Sequence, residues 1–143
     1  MKTFIKGLLP ILFLGIALSG CGKDEDTEPP QITVNTPQDH AHFHPGGHFH
    51  VRADFTDNEE LAQWKIDIHD NHDGHSHKVA HGWSVIRTGE LSGKADSIDE
   101  VINIPEDAEH GDYHLLVFAI DAAGNESFVE LEFHIEDDHH DHD

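Results

Sequence analysis

The stretch HGDYHLLVFAIDAAGNESFVELEFHIE, His110 to Glu136, decides the fold of this chain. YHLLVFAID reads as one strand, and AAGN, Ala122 to Asn125, supplies a hairpin turn. In ESFVELEFHIE, Val129, Leu131, Phe133 and Ile135 then alternate with Glu130, Glu132 and His134. A period of two places one set of side chains against a core and the other in solvent. The same period extends back to Gln31. QITVN turns Ile32 and Val34 to one face. HFHVRADF turns Phe49, Val51, Ala53 and Phe55 inward and His48, His50, Arg52 and Asp54 outward. QWKIDIH buries Trp64, Ile66 and Ile68 and exposes Lys65, Asp67 and His69, while GWSVIRT and SIDEVINIP read as further strands. No stretch offers a helix. Seven short strands separated by turn signals predict a single antiparallel β-sandwich over residues 31–136.

Ahead of Gln31 the chain changes character. MKTFIKGLLPILFLGIALSG carries two lysines, an apolar run from Leu8 to Leu18 and then small residues, which is the pattern of a secretory signal over residues 1–20. The run is shorter than the roughly 20 residues a membrane-spanning helix needs. GKDEDTEPP, Gly22 to Pro30, is polar and ends in proline, as a flexible tether over residues 21–30 does. Cys21 is the one cysteine, so neither an internal disulfide nor a thiolate metal site is available. Without its first twenty residues the chain has 123 residues, enough for one modest core, with six basic against 29 acidic side chains and a formal charge of −23. Such a surface repels nucleic acid and attracts cations.

Several of these motifs resemble known families. LSGC, Leu18 to Cys21, resembles the lipobox of bacterial lipoproteins, which implies lipid on the Cys21 sulfur and attachment to a membrane. KDED, Lys23 to Asp26, is similar to the signal that sends Bacteroidetes-type lipoproteins to the outer face of the outer membrane; a plain solvated charge run reads the same way. HGDYHLLVFAIDAAGN resembles the closing strands of immunoglobulin-like domains, with Tyr113 placed like a tyrosine corner. Lipobox, FTDNEEL, KIDIHDNHDGHSH and DAAGN together resemble a family of Bacteroidetes-type lipoproteins described as a domain of unknown function. That resemblance implies an immunoglobulin-like fold and carries no activity with it.

The sixteen histidines supply the functional signal. Alternating strand directions sort the connections between two poles. The tether, the turn at Asp57 to Glu60, the stretch from Gly89 to Asp96 and the turn after Asp121 fall at the near pole, which holds no histidine. His40, His42, His44, His48 and His50 fall at the far pole with His69, His72, His75, His77 and His81. His110, His114, His134, His139, His140 and His142 join them there, the last three in a His/Asp-rich tail over residues 137–143. Neutral imidazole suits Zn(II), Ni(II) and Cu(II), and interleaved carboxylates supply further ligands and acceptors for the ring N–H. The expected ligands are His48, His50, His69, His114 and His134 on strands, with a three-histidine site at His69, His114 and His134. His72, His75, His77, His139, His140 and His142 on the loop and tail complete the set. At the near pole, Asp57, Asn58, Glu59, Asp121 and Asn125 offer oxygen ligands to Ca(II), although ordinary turn-capping is the preferred reading of those residues.

Neither an H-E-x-x-H helix, a G-x-S-x-G elbow nor a cysteine nucleophile is present, so no catalytic role is expected. The leading expectation is a lipid-anchored outer-membrane protein, exposed at the cell surface or facing the periplasm, that captures, buffers or delivers Zn, with an outer-membrane metal receptor as recipient. The alternative is an adhesion or glycan-contacting immunoglobulin-like module with incidental histidines. A glycan reader needs an exposed Trp or Tyr platform, and both tryptophans fall in apolar strand patterns.

Overall fold

A computed structural model describes residues 25–70 and 83–136. It contains β1 (Gln31–Thr36), β2 (Ala41–Phe43), β3 (His48–Thr56), β4 (Leu61–Asp70), β5 (Val85–Glu90), β6 (Ala95–Asn103), β7 (Gly111–Asp121) and β8 (Glu126–Ile135). They form two sheets, one ordered β1-β3-β6 and the other β2-β8-β7-β4-β5. This is an immunoglobulin-like sandwich, and all of the expected strands are present. Among the described residues no helix is long and apolar enough to cross a membrane.

The eighth strand, β2, departs from the sequence reading. The chain runs along β1 in the first sheet and reaches Pro37, which lacks the N–H needed to continue the ladder. It then continues in the same direction on the second sheet. Because no reversal intervenes, β2 must lie parallel to β8, and it pairs Ala41 with Phe133, His42 with His134 and Phe43 with Ile135. The other pairings are antiparallel.

The core follows the period of two. Phe49, Val51, Ala53 and Phe55 of one sheet face Trp64, Ile66, Ile68, Tyr113, Leu115, Val117, Phe133 and Ile135 of the other, all buried. Tyr113 forms the expected corner: its hydroxyl donates to the carbonyl of Glu109, four residues back, at 2.8 Å. Burial raises the pKa of this phenol, with Asp70 and Glu109 adding to the effect, so it stays a donor. Beneath the far pole the rings of Tyr113 and Phe133 stack at 5.4 Å, and Phe43 stacks on Phe49 at 4.4 Å.

Trp64 explains one glycine. Gly89 on β5 lies opposite it, and a Cβ there would sit 2.5 Å from the indole Nε1. Gly89→Ala should therefore force the indole out of its place and destabilise the fold by about 1–3 kcal/mol. The expected result is a lower urea midpoint at unchanged m-value, with the tryptophan emission shifted to the red.

Candidate metal centre

The far pole collects the ends of β2, β4 and β8 and the beginnings of β3 and β7. All nine described histidines lie there. Asp70 and Glu136, the last described residues before segments 71–82 and 137–143, also lie at that pole. His72, His75, His77, His139, His140 and His142 belong to those segments and lie outside the described residues, as does Cys21.

Strand register divides the described histidines into three groups. On the outer face of the five-stranded sheet, one cross-strand row reads His42 on β2, His134 on β8 and Asp112 on β7. The next reads Glu132 on β8, His114 on β7 and His69 on β4. The rings of His42 and His134 lie 5.7 Å apart, and so do those of His69 and His114. His48 and His50 point outward from β3 on the opposite sheet, with their rings 6.4 Å apart. The register does not bring His69, His114 and His134 into one row. His134 is a diagonal neighbour of His114, and such positions lie about 7–8 Å apart. His42, on a strand absent from the sequence reading, takes the place beside it.

The rings are held alike. His42 Nδ1 lies 2.7 Å from Glu136 Oε1, His134 Nδ1 lies 2.6 Å from Asp112 Oδ1, and His50 Nδ1 lies 2.5 Å from Asp99 Oδ1. His44 Nδ1 lies 2.8 Å from the Glu136 carbonyl oxygen. His69 Nδ1 is 3.3 Å from Asp67, and His114 Nδ1 is 3.4 Å from Glu130. A carboxylate or carbonyl oxygen only accepts, so the proton of a neutral ring sits on Nδ1 and the lone pair on Nε2. Metal-ligating histidines are oriented by the same arrangement. The bond from His50, followed by that from Arg52, lowers the pKa of Asp99.

Glu136 sits between the first pair. One of its oxygens holds His42 Nδ1, and the other lies 4.0 Å from His134 Nε2. With His40, Asp112, Glu132 and Phe133 these residues line a shallow cavity of about 250 Å³. Of these, Phe133 turns its ring inward onto Tyr113 and Phe49. Imidazole nitrogens are ligands that suit zinc, but His42, His134 and Glu136 do not bring three ligand atoms within 4.8 Å of one another. Among the described residues, the three side chains whose ligand atoms all lie within 4.8 Å of one another are Asp26, Asp57 and Asp121, at the opposite pole.

His42, Asp112 and Glu136 escaped the choice of expected ligands. A signal for the first was present in HAHFH, where His40, His42 and His44 alternate with Ala41 and Phe43 as in a short strand.

Among solved structures the chain is similar to OgpA from Akkermansia muciniphila. Wild-type OgpA matches with 16% identity and a TM-score of 0.53 over 75% of this chain and 29% of that one. Catalytically inactive OgpA in complex with an O-glycopeptide substrate, glycodrosocin, matches with the same identity and coverage and a TM-score of 0.52. The chain thus spans about 29% of the length of these structures, a likeness of fold alone. No curated protein matches the chain. One family model does match, over residues 19–136 and thus most of the chain, and on that match the protein belongs to the DUF4625 family, a domain of unknown function.

Proposed function

We propose that this protein binds divalent transition metal through its histidine pole, with zinc the first choice and Cu(II) or Ni(II) as competitors, for capture, buffering or delivery. The observation that carries this reading is the row His42–His134–Asp112 with Glu136 between the two rings. Both Nδ1 atoms are held by carboxylates, which leaves Nε2 of each for an ion. His69 and His114 form a second pair with the same chemistry. The histidines of segments 71–82 and 137–143, outside the described residues, would add further ligands.

The setting suits capture. Residues 25–30 approach the sandwich from the near pole, so an anchor on the Cys21 sulfur would leave the histidine pole facing away from an outer membrane. Lipidation, surface exposure and transfer to a membrane receptor belong to this proposal. Glycan contact is less well served, since Trp64 is buried and Trp83 packs against Tyr113.

Calorimetric titration of the purified protein with zinc tests the reading. More than one ion should bind near pH 7.5, with magnesium inert at the histidine pole. Protons compete with the ion for Nε2, so zinc affinity should fall as the pH is lowered from about 7.5 to about 5.5. Equal affinity at the two pH values would make carboxylates the ligands, and no zinc heat at either would end the proposal.

A further inference from the structure

The near pole gathers three carboxylates from three separate parts of the chain. Asp26 precedes β1, Asp57 lies in the β3–β4 turn and Asp121 ends β7, and one carboxylate oxygen from each lies within 4.8 Å of the other two. Most of their remaining capacity has a local use. Asp57 Oδ1 accepts from the backbone N–H groups of Glu59 and Glu60 at 2.9 and 2.8 Å. Asp121, 2% exposed, accepts from the backbone N–H of Asn125 at 2.8 Å on Oδ1 and from its side-chain amide at 2.7 Å on Oδ2. Asp26 Oδ1 accepts from the Glu28 backbone N–H at 3.1 Å and from Asn58 Nδ2 at 2.8 Å.

Two facts are left over. Asp57 Oδ2 has less than 1 Å² of accessible surface and no hydrogen-bond partner. Its sister oxygen is committed to the turn, so Oδ2 is the atom available to the cluster. A buried carboxylate oxygen without a donor is strongly unfavourable unless a cation meets it. The second fact is charge. Among the described residues no lysine, arginine or histidine pairs with any of the three carboxylates, and Lys94, on the adjoining turn, donates instead to the Asn58 carbonyl.

We propose that Asp26, Asp57 and Asp121 bind Ca²⁺, with Asp57 Oδ2 as a ligand, and that the ion clamps the approach segment 25–30 to the sandwich. Among the described residues the near pole has no imidazole and no thiolate, and its carboxylates are hard oxygen ligands. Ca²⁺ accepts six to eight oxygens in irregular arrangements, so carbonyls of the turns and water complete its shell. Mg²⁺ requires a near-ideal octahedron, which three ligands from three independent segments do not readily supply. The segment is already positioned for such a clamp: Asn125 Nδ2 donates to the Asp26 carbonyl at 3.1 Å and Ser127 Oγ to the Pro30 carbonyl at 2.6 Å. Calcium occupancy then fixes the direction in which the chain leaves the domain toward Cys21. This site is independent of the zinc reading.

The test is thermal unfolding of chelator-stripped protein with CaCl₂ or MgCl₂, on wild type, Asp57→Asn, Asp26→Asn and the double variant His42→Ala/His134→Ala. Calcium at about a hundredfold excess over its Kd should raise the wild-type Tm by roughly 10 °C, and magnesium should raise it less. Asp57→Asn keeps the Oδ1 acceptor of the turn. It and Asp26→Asn should lose the calcium response, while their ion-free Tm equals or exceeds that of wild type because one of three like charges is gone. The histidine variant should keep the full response. Absence of a calcium shift in wild type, a full shift in Asp57→Asn, or a shift abolished in the histidine variant would each overturn the proposal.

Discussion

His42→Ala/His134→Ala is expected to weaken the tightest zinc site by at least about 100-fold, because loss of a mere orienting partner already costs 10–100-fold at metal sites and here both nitrogen ligands go. The two imidazoles stand on adjacent parallel strands, opposite each other in register, with their rings 5.7 Å apart. The sheet holds them, so little ordering entropy opposes binding. Changing Asp112 to Asn leaves both ligands and weakens the hold on His134 Nδ1, so its expected loss is smaller, about 10-fold. His69→Ala/His114→Ala should remove a second ion while sparing the first. Changing His72, His75, His77, His139, His140 and His142 to Ala should lower stoichiometry without touching the tightest site. Competition with a chromophoric chelator measures all four variants. If the six-residue variant alone lost the tightest site, the loop and tail would be the primary ligands.

Phe133→Ala should cost about 3–5 kcal/mol and lower Tm by about 12–20 °C. Phe133 is buried at the junction of both sheets beneath the histidine pole. Its ring stacks on Tyr113 at 5.4 Å, lies 5.3 Å from Phe49 and meets Phe43 edge-on at 5.6 Å. Truncation opens a cavity that none of these rigid rings can collapse into. It also loosens β2, whose Ala41 pairs with Phe133, so the His42–His134 spacing should relax and zinc should bind more weakly as well. Phe128→Ala, at a position 56% exposed on the same strand, is the control and should change stability by no more than about 0.5 kcal/mol. Urea unfolding followed by tryptophan emission compares the two. Similar midpoints for both variants would mean that the pole is not packed as described.

The division between the inward and outward faces was legible in the sequence, because alternation is a local property. Val129, Leu131, Phe133 and Ile135 point inward, and Glu130, Glu132 and His134 outward, wherever β8 is placed. The gathering of histidines at one pole was legible for a related reason: consecutive strands reverse direction, so parity alone assigns each connection to an end. The near-pole turns were also identified, and Asp57 and Asp121 cap them as expected. Asp26 was not identified, since a short polar segment ahead of the first strand reads as free tether, and its bonds to Asn58 and Asn125 depend on residues far along the chain.

The sequence by itself therefore determined the fold class, the face of each strand side chain and the pole of each described histidine. Only the tertiary structure decided which of these side chains are neighbours. His42 meets His134 because the chain changes sheets at Pro37 and sets β2 beside β8. His48 and His50 are separated from the other strand histidines because β3 belongs to the opposite sheet. His114 faces Glu132 because the β7–β8 register sets His134 opposite Asp112, and the three near-pole carboxylates meet because β1 begins where β3 and β7 end. Facing follows from the backbone period within a strand, whereas adjacency follows from register and sheet assignment. Those are set by how the whole core packs, and no single segment carries that information.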